Sequence, residues 1–184
     1  MIAFVDESLR QRPDGLCVLA AVVAPNDIDE GRDAVRSVLL PGQLRFHWKD
    51  ENEGQHRRML KAIEDMGVRS LVYVCRPVSM RRQARARALC VNALVWDLRT
   101  HEVDEVVFES RENHNDAKDR QTIIQAKKAK HAAESLIYRF ERPDAEPLLW
   151  LPDAVAGAVS AAEAQEHRYL DLLRERITTR RIAP

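Results

Sequence analysis

Three acidic residues each follow a short apolar run, and together they could do metal chemistry. Asp6 follows the apolar run at 2–5, and Glu109 follows the run at 106–108. Asp153 follows the run at 148–151 after an intervening proline. A carboxylate beside a hydrophobic sheet is costly unless it is paired, hydrogen-bonded or bound to a metal. If the three positions converge in the fold, the acids form a carboxylate cluster suited to a divalent cation.

Such a cluster indicates a particular class of reaction. In two-metal phosphoryl chemistry the cations lie about 3.5–4 Å apart, one activating water and the other stabilising the leaving oxygen. Mg²⁺ and Mn²⁺ prefer oxygen ligands, and Mg²⁺ keeps several of its waters. The trio therefore predicts Mg²⁺ or Mn²⁺ as cofactor and phosphodiester hydrolysis as reaction.

Each acid also has a simpler interpretation. Asp153 follows a proline and precedes a small apolar stretch, which is typical of a helix N-cap. Glu109 can be a surface acid at a strand end. Asp6 is harder to explain, because Glu7 and Ser8 follow it with no evident helix to cap.

Length and composition narrow the class of protein. The chain has 184 residues, enough for one compact α/β domain, and we predict a single domain over 1–184. Its 29 basic and 29 acidic residues cancel. This balance does not favour non-specific nucleic-acid binding, although the distribution of charge matters more than the sum. No apolar run approaches the roughly 20 residues that span a membrane, so we expect no membrane partner. The widely spaced Cys17, Cys75 and Cys90 are expected to be buried thiols in a reducing cytoplasm. The oligomeric state stays open.

Hydropathy patterns predict the order β-β-α-β-α-β-α-β-α-(β-β)-α. This is a mixed sheet with flanking helices rather than a regular Rossmann alternation. The first two strands form a hairpin through the turn Pro13-Asp14-Gly15. Residues 44–48 alternate in polarity and are predicted as the third strand of an antiparallel meander, before parallel strands alternating with helices.

The C-terminal part is predicted from shorter patterns. Residues 135–141 and 148–151 are predicted as two short strands, and Asp153 as the start of the last helical region. Residues 178–184 are predicted as a frayed tail.

Two segments carry a resemblance to a known family. FVDES at 4–8 and LWLPDAVAGAV at 149–159 resemble the family called domain of unknown function 3800, with VVFES at 106–110 and FHWKD at 46–50 as further matches. Leu9 stands where the family has glycine. The family is grouped with RNase H-like folds, so the resemblance implies an RNase H-like mixed sheet. It also implies Asp6 as the central metal ligand, with Glu109 and Asp153 as the matching acids.

Two further residues are candidates for the same site. His47 could contact a scissile phosphate or move a proton, or it could be an ordinary strand histidine. Asp116, in a polar stretch after Glu109, could supply a fourth metal ligand, although capping of the next helix is the simpler interpretation.

The densest basic run has two interpretations. Its members are Arg76, Arg81, Arg82, Arg85 and Arg87. They could follow a nucleic-acid backbone, but a solvated helix face with ion pairs is the interpretation we favour. The run therefore does not decide whether nucleic acid is a partner.

Three functions are consistent with these patterns. The first is a divalent-metal-dependent nuclease acting on RNA or DNA, with Asp6, Glu109, Asp153 and His47 at its centre. The second is a non-catalytic interaction module of a defence or mobile-element system that keeps the fold. The third is a metal-dependent hydrolase of a small phosphorylated substrate.

Overall fold

The computed structural model describes residues 1–11, 15–111 and 113–184, with the backbone alone for Asn113. The strands are β1 (Ile2–Arg10), β2 (Leu16–Val23), β3 (Ser70–Cys75), β4 (Glu105–Glu109), β5 (Ile137–Glu141) and β6 (Ile177–Ile182). The helices are α1 (Ile28–Arg36), α2 (Glu53–Met66), α3 (Gln83–Asp97), α4 (Asn113–Lys128) and α5 (Trp150–Ala162). These elements form an α/β architecture.

The six strands form one mixed sheet in the order β5-β4-β1-β2-β3-β6. Strand β2 is antiparallel to both β1 and β3. The pairs β1–β4, β4–β5 and β3–β6 are parallel. The fold class is confirmed, a mixed sheet in which an antiparallel meander is extended by parallel strands and flanked by helices. The hairpin of β1 and β2 is confirmed as well, although two of the strands differ from those predicted. Residues 12–14 of its predicted turn lie outside the described residues.

Hydrophobic cores lie on both faces of the sheet. Helices α1, α2 and α5 cover the face that carries Phe4 and Val107. Helices α3 and α4 cover the face that carries Val5 and Phe108. Because successive side chains of a strand point to opposite faces, this split assigns each residue of β1 to one face of the sheet or the other. In the ranges described, no helix is long and apolar enough to cross a membrane.

The predicted strand at 44–48 is wrong. The segment leads into a 3₁₀ turn at Trp48–Asp50, and the third strand of the meander is β3. The alternation in sequence does not correspond to alternating burial, because Phe46 is buried whereas Leu44, two residues earlier on the same predicted face, is exposed. Phe46 and Trp48 pack on the α1–α2–α5 side of the sheet, while the backbone of the segment pairs with no strand, so the apolar residues mark core contacts and not a strand.

The predicted strand at 148–151 is also wrong. A 3₁₀ turn at Pro147–Leu149 leads directly into α5. A four-residue apolar run cannot be distinguished from a buried helix start by periodicity. Pro152 is tolerated there because the first turn of a helix has no intrahelical partner for its N–H groups. Asp153 consequently lies within the first turn of α5 and is not its N-cap.

The predicted frayed tail is a strand. Residues 177–182 pair in parallel with β3 along its whole length. The arginines of this strand are held by ion pairs, Arg180 to Asp97 and Arg181 to Glu163. These contacts join residues far apart in sequence, so the terminal position of the segment was a poor guide.

Candidate functional site

Strand register brings Asp6 and Glu109 together. Val5 is paired with Phe108 across the parallel β1–β4 ladder, so the next residue on each strand is one of the two acids. Phe4 and Val107, two residues earlier, belong to the core beneath α5. Because side chains alternate, Asp6 and Glu109 point to the same face as α5. Both β1 and β4 are inner strands of the sheet, which fixes their spacing.

Helix α5 supplies the third acid. Asp153 lies in its first turn, and its Oδ2 accepts a hydrogen bond from the backbone N–H of Trp48 at 2.8 Å. One turn later, Gly157 leaves room for the Trp48 ring, since a Cβ at this glycine would lie 2.3 Å from it. Asp153 therefore has two roles in the geometry: it lines the site and it anchors the 48–50 turn.

These acids line one pocket of about 190 Å³. Its walls include Asp6, Glu109, Asp153 and His47, which are four of the five predicted site residues. The pocket lies where the parallel β1–β4 ladder ends, at the carboxyl end of β4 and in the middle of β1, which continues to Arg10 beside β2. We call it the carboxylate pocket.

Burial and mutual repulsion raise the pKa values of all three acids. Burial raises the pKa of Asp6 well above its ordinary value, and the charges of Glu7, Glu109 and Asp153 add to the effect. Burial, then Asp153 and Glu7, raise the pKa of Glu109 to about 7. Burial also raises the pKa of Asp153, against the hydrogen bond from Trp48 and the positive charge of nearby side chains. The pocket therefore carries less compensating positive charge than its acids require.

Within the described part of the chain, none of the three carboxylates forms an ion pair with a lysine, arginine or histidine. Over the same residues, no group of three or more His, Cys, Asp or Glu side chains is already arranged to hold a metal ion. The donor chemistry fits a hard cation, since every candidate donor is a carboxylate oxygen. Mg²⁺ is commonly bound by one or two carboxylates together with waters and substrate phosphates, rather than by a complete protein cage.

His47 lies on the rim of the pocket. Its Nδ1 is 2.9 Å from Asp50 Oδ2, and its side chain is 39% exposed. The Asp50 contact orients the ring, so Nε2 is the atom through which it would meet a phosphate or a proton.

Asp116 is not among the residues that line the pocket. It is buried, its Oδ1 accepts the backbone N–H of Arg111 at 3.0 Å, and its Oδ2 accepts the Ser110 hydroxyl at 2.8 Å. Both oxygens thus hold the chain between β4 and α4. The predicted role as a fourth metal ligand is not retained, and the alternative of a local structural role describes its contacts.

A buried ion network behind the pocket was missed by the sequence analysis. Glu7 points to the opposite face of β1 from Asp6 and contacts Arg87 at 2.5 Å and Arg111 at 3.0 Å. Asp119 binds the same two arginines, at 2.8 Å and 3.0 Å. We call these four residues the Arg87 network. A signal existed, because Arg87 precedes Val91 by four residues and so lies on the apolar stripe of α3.

Comparison with known proteins supports the fold. No family model matches the chain, and no curated protein sequence matches it. A solved structure described as the PCNA:RNase HII complex from Archaeoglobus fulgidus contains a chain that matches with a TM-score of 0.57 and 18% sequence identity. The match covers 95% of this chain and 76% of that chain. The fold is RNase H-like.

Proposed function

We propose that this protein is a divalent-metal-dependent phosphodiesterase that cleaves RNA or DNA. The observation that carries the proposal is the carboxylate pocket: three acids from β1, β4 and α5 face one small cavity without ion-pair partners among the described residues. Acids in such surroundings are destabilised unless a cation joins them. The RNase H-like fold and the predicted resemblance to the domain of unknown function 3800 family are consistent with the proposal.

Asp6, Glu109 and Asp153 would hold Mg²⁺ or Mn²⁺. When bound, the cation would supply charge stabilisation for the phosphoryl group and lower the pKa of an attacking water. Asp6 is the most buried of the three and lies between the other two elements, so we assign it the central position.

The protein's own groups would do the remaining work. Asp153 keeps the 48–50 turn against α5 through the Trp48 N–H, and this fixes the position of His47 at the rim. His47, oriented by Asp50, would contact the phosphate or accept a proton through Nε2. The site thus combines an acidic floor with a basic rim.

The volume of the pocket favours a polymer over a small substrate. Sites that enclose small molecules usually measure about 300–1,000 Å³, whereas this pocket measures about 190 Å³. A larger cavity of about 560 Å³ lies elsewhere, between α1 and α2 and lined by Pro25, Asp27 and Met66. The carboxylate pocket suits a phosphate group with its ions, while the rest of the substrate lies outside.

The first test is the Asp6→Asn variant, assayed with labelled RNA, DNA and RNA–DNA hybrid in Mg²⁺ or Mn²⁺. We expect cleavage to fall at least about a hundredfold, because loss of a metal ligand removes several kcal/mol of transition-state stabilisation. The matched control is Asp33→Asn, an exposed acid on α1, which should cleave like the wild type. Equal cleavage by Asp6→Asn and wild type would overturn the assignment, as would a wild type that cleaves none of the three substrates.

A non-catalytic interaction module is the second candidate. It is favoured by one observation, that no three-residue metal group is preassembled among the residues described. Calorimetric titration of Mn²⁺ into the wild type and Asp153→Asn distinguishes the two. Heat that is lost in the variant supports the enzyme, whereas no binding with or without a nucleic-acid substrate supports the module.

A further inference from the structure

The segment before the 48–50 turn presents basic side chains beside the pocket. Arg45, His47 and Lys49 alternate with Phe46 and Trp48. Phe46 is buried, and Trp48 packs on Gly157, so the residues between them must point outward. We call Arg45, His47 and Lys49 the basic strip.

The strip is held on a rigid support. The Trp48 ring stacks on the His56 ring with centroids 3.8 Å apart, and the backbone carbonyl oxygen of Trp48 is 2.8 Å from His56 Nε2. The Gln43 side chain donates to the Arg45 carbonyl at 2.9 Å and accepts from the buried Gln55 side chain at the same distance. A fixed backbone lowers the entropic cost of presenting several charges to one ligand.

The charged side chains of the basic strip lower the pKa values of two acids of the carboxylate pocket, but they do not neutralise them. Positive charge on His47 and Arg45 lowers the pKa of Glu109, and that on His47, Lys49 and Arg45 lowers the pKa of Asp153, although burial outweighs both effects. The partners of the strip are exposed and weak. Arg45 lies 3.7 Å from Asp144, and within the described ranges Lys49 forms no ion pair.

Its spacing suits a nucleic-acid backbone. His47 has an extended backbone, and residues two apart in an extended chain are separated by about 6.6 Å, so Arg45 and His47 have a spacing comparable to that of neighbouring phosphates of one strand. Lys49 lies in the 3₁₀ turn that follows and lines the carboxylate pocket. The strip is also one residue wide, so it matches a single backbone rather than both strands of a duplex groove. We propose that Arg45, His47 and Lys49 bind the phosphodiester backbone of one nucleic-acid strand next to the carboxylate pocket. This inference rests on the proposed function and names the element that holds its substrate.

The test measures binding separately from cleavage. In the Asp6→Asn background, labelled single-stranded RNA and DNA of the same sequence are titrated by fluorescence anisotropy at several KCl concentrations with Mg²⁺ present. The test variant adds Arg45→Gln and Lys49→Gln, leaving His47 intact. Two lost phosphate contacts should weaken binding about tenfold at low salt and reduce the slope of log K against log[KCl] by about 1–2.

The control carries the same charge change elsewhere. Arg57→Gln with Lys61→Gln removes two exposed charges from α2, at side chains that are 50% and 62% exposed. It should leave both the affinity and the salt slope unchanged, and the unfolding midpoints of both double variants should match that of their Asp6→Asn parent. Equal losses of affinity in the test and control variants, or no loss in either, would overturn the proposal that the basic strip binds nucleic acid.

The outcomes separate the two proposals. If the strip variant loses binding but the wild type cleaves nothing, the binding strip stands and the nuclease fails. If the wild type cleaves, the strip variant keeps its affinity, and Arg45→Gln with Lys49→Gln in the otherwise wild-type chain keeps kcat/KM, the nuclease stands and the strip fails. The RNA and DNA arms show which backbone it prefers.

Discussion

Asp6 and Glu7 are neighbours on β1, yet they occupy opposite electrostatic surroundings. On the α3–α4 face, Glu7 belongs to a network in which two acids meet two arginines at 2.5–3.0 Å. On the α5 face, Asp6 lies near Glu109 and Asp153, and within the described residues it forms no ion pair with a cationic side chain. One face is balanced by the chain itself, whereas the other has an excess of negative charge.

The difference separates a structural role from a functional one. Buried charges are retained in folded proteins when they are paired and hydrogen-bonded. The Arg87 network meets this condition and ties β1 to α3 and α4. The carboxylate pocket does not meet it, and the missing positive charge is what a divalent cation would bring. If this contrast is correct, substitutions on the two faces should have opposite effects on stability.

The largest effect on stability is expected from Arg87→Met. Methionine keeps most of the side-chain volume but leaves Glu7 and Asp119 buried with only Arg111 between them. Breaking a buried ion pair by removing one partner costs about 3–5 kcal/mol. Urea unfolding followed by circular dichroism measures the change. Arg85→Met, an exposed arginine on the same helix, is the control and should change stability by less than about 0.5 kcal/mol. A loss below about 1 kcal/mol in Arg87→Met would contradict the balanced network.

A matched pair of neutral variants compares the two faces directly. Glu7→Gln removes an anion that two arginines contact, so we expect a loss of about 1–3 kcal/mol. Asp6→Asn removes a buried charge whose pKa is raised, so in the absence of divalent metal at pH 8 it should leave stability unchanged or increase it. The two free energies of unfolding are measured under the same conditions. Changes of the same sign would mean that the two faces do not differ as described.

The sequence predicted the acids of the carboxylate pocket better than the residues of the Arg87 network. An acid directly after an apolar run is visible in one short segment, and this pattern identified Asp6, Glu109 and Asp153, which the structure places around one cavity although Asp6 lies within β1 and Asp153 within α5. The Arg87 network joins residues far apart, with Arg87 32 positions from Asp119. In the sequence Arg87 stands in a run of exposed arginines, and only its place on the stripe of α3 distinguishes it.

The errors have a common physical origin. Residues 44–48, 148–151 and 177–182 are short segments whose structure is decided by distant partners. Phe46 belongs to the core and Trp48 packs on Gly157 of α5, and β6 forms because β3 offers an open edge. A local hydropathy pattern indicates which residues are buried. Whether their backbone forms a strand, a turn or a helix depends on the elements that pack beside it.

The smallest stability effect, and the one most specific to the acidic face, is expected from Glu109→Gln. The pKa of Glu109 is about 7 in the folded protein against 4.5 ordinarily. The folded state therefore holds the proton more tightly, and the stability that this contributes is present at acid pH and lost as pH rises through about 7. A shift of this size corresponds to at most about 3 kcal/mol, and solvent screening of the partly exposed side chain reduces it to roughly 1–2 kcal/mol. Glu109→Gln should thus be more stable than the wild type by that amount at pH 8 and nearly equal to it at pH 4.

Two further measurements make this result specific to the pocket. Glu134→Gln, an exposed glutamate, should show no pH-dependent gain. Mg²⁺ at pH 8 should reduce the advantage of Glu109→Gln, because a cation that binds the charged acids stabilises the wild type and not the neutral variant. A gain in the stability of Glu109→Gln that does not depend on pH would indicate an effect of packing rather than of charge. A gain that depends on pH but not on Mg²⁺ would keep the electrostatic description of the acidic face and count against the cation that we propose for it.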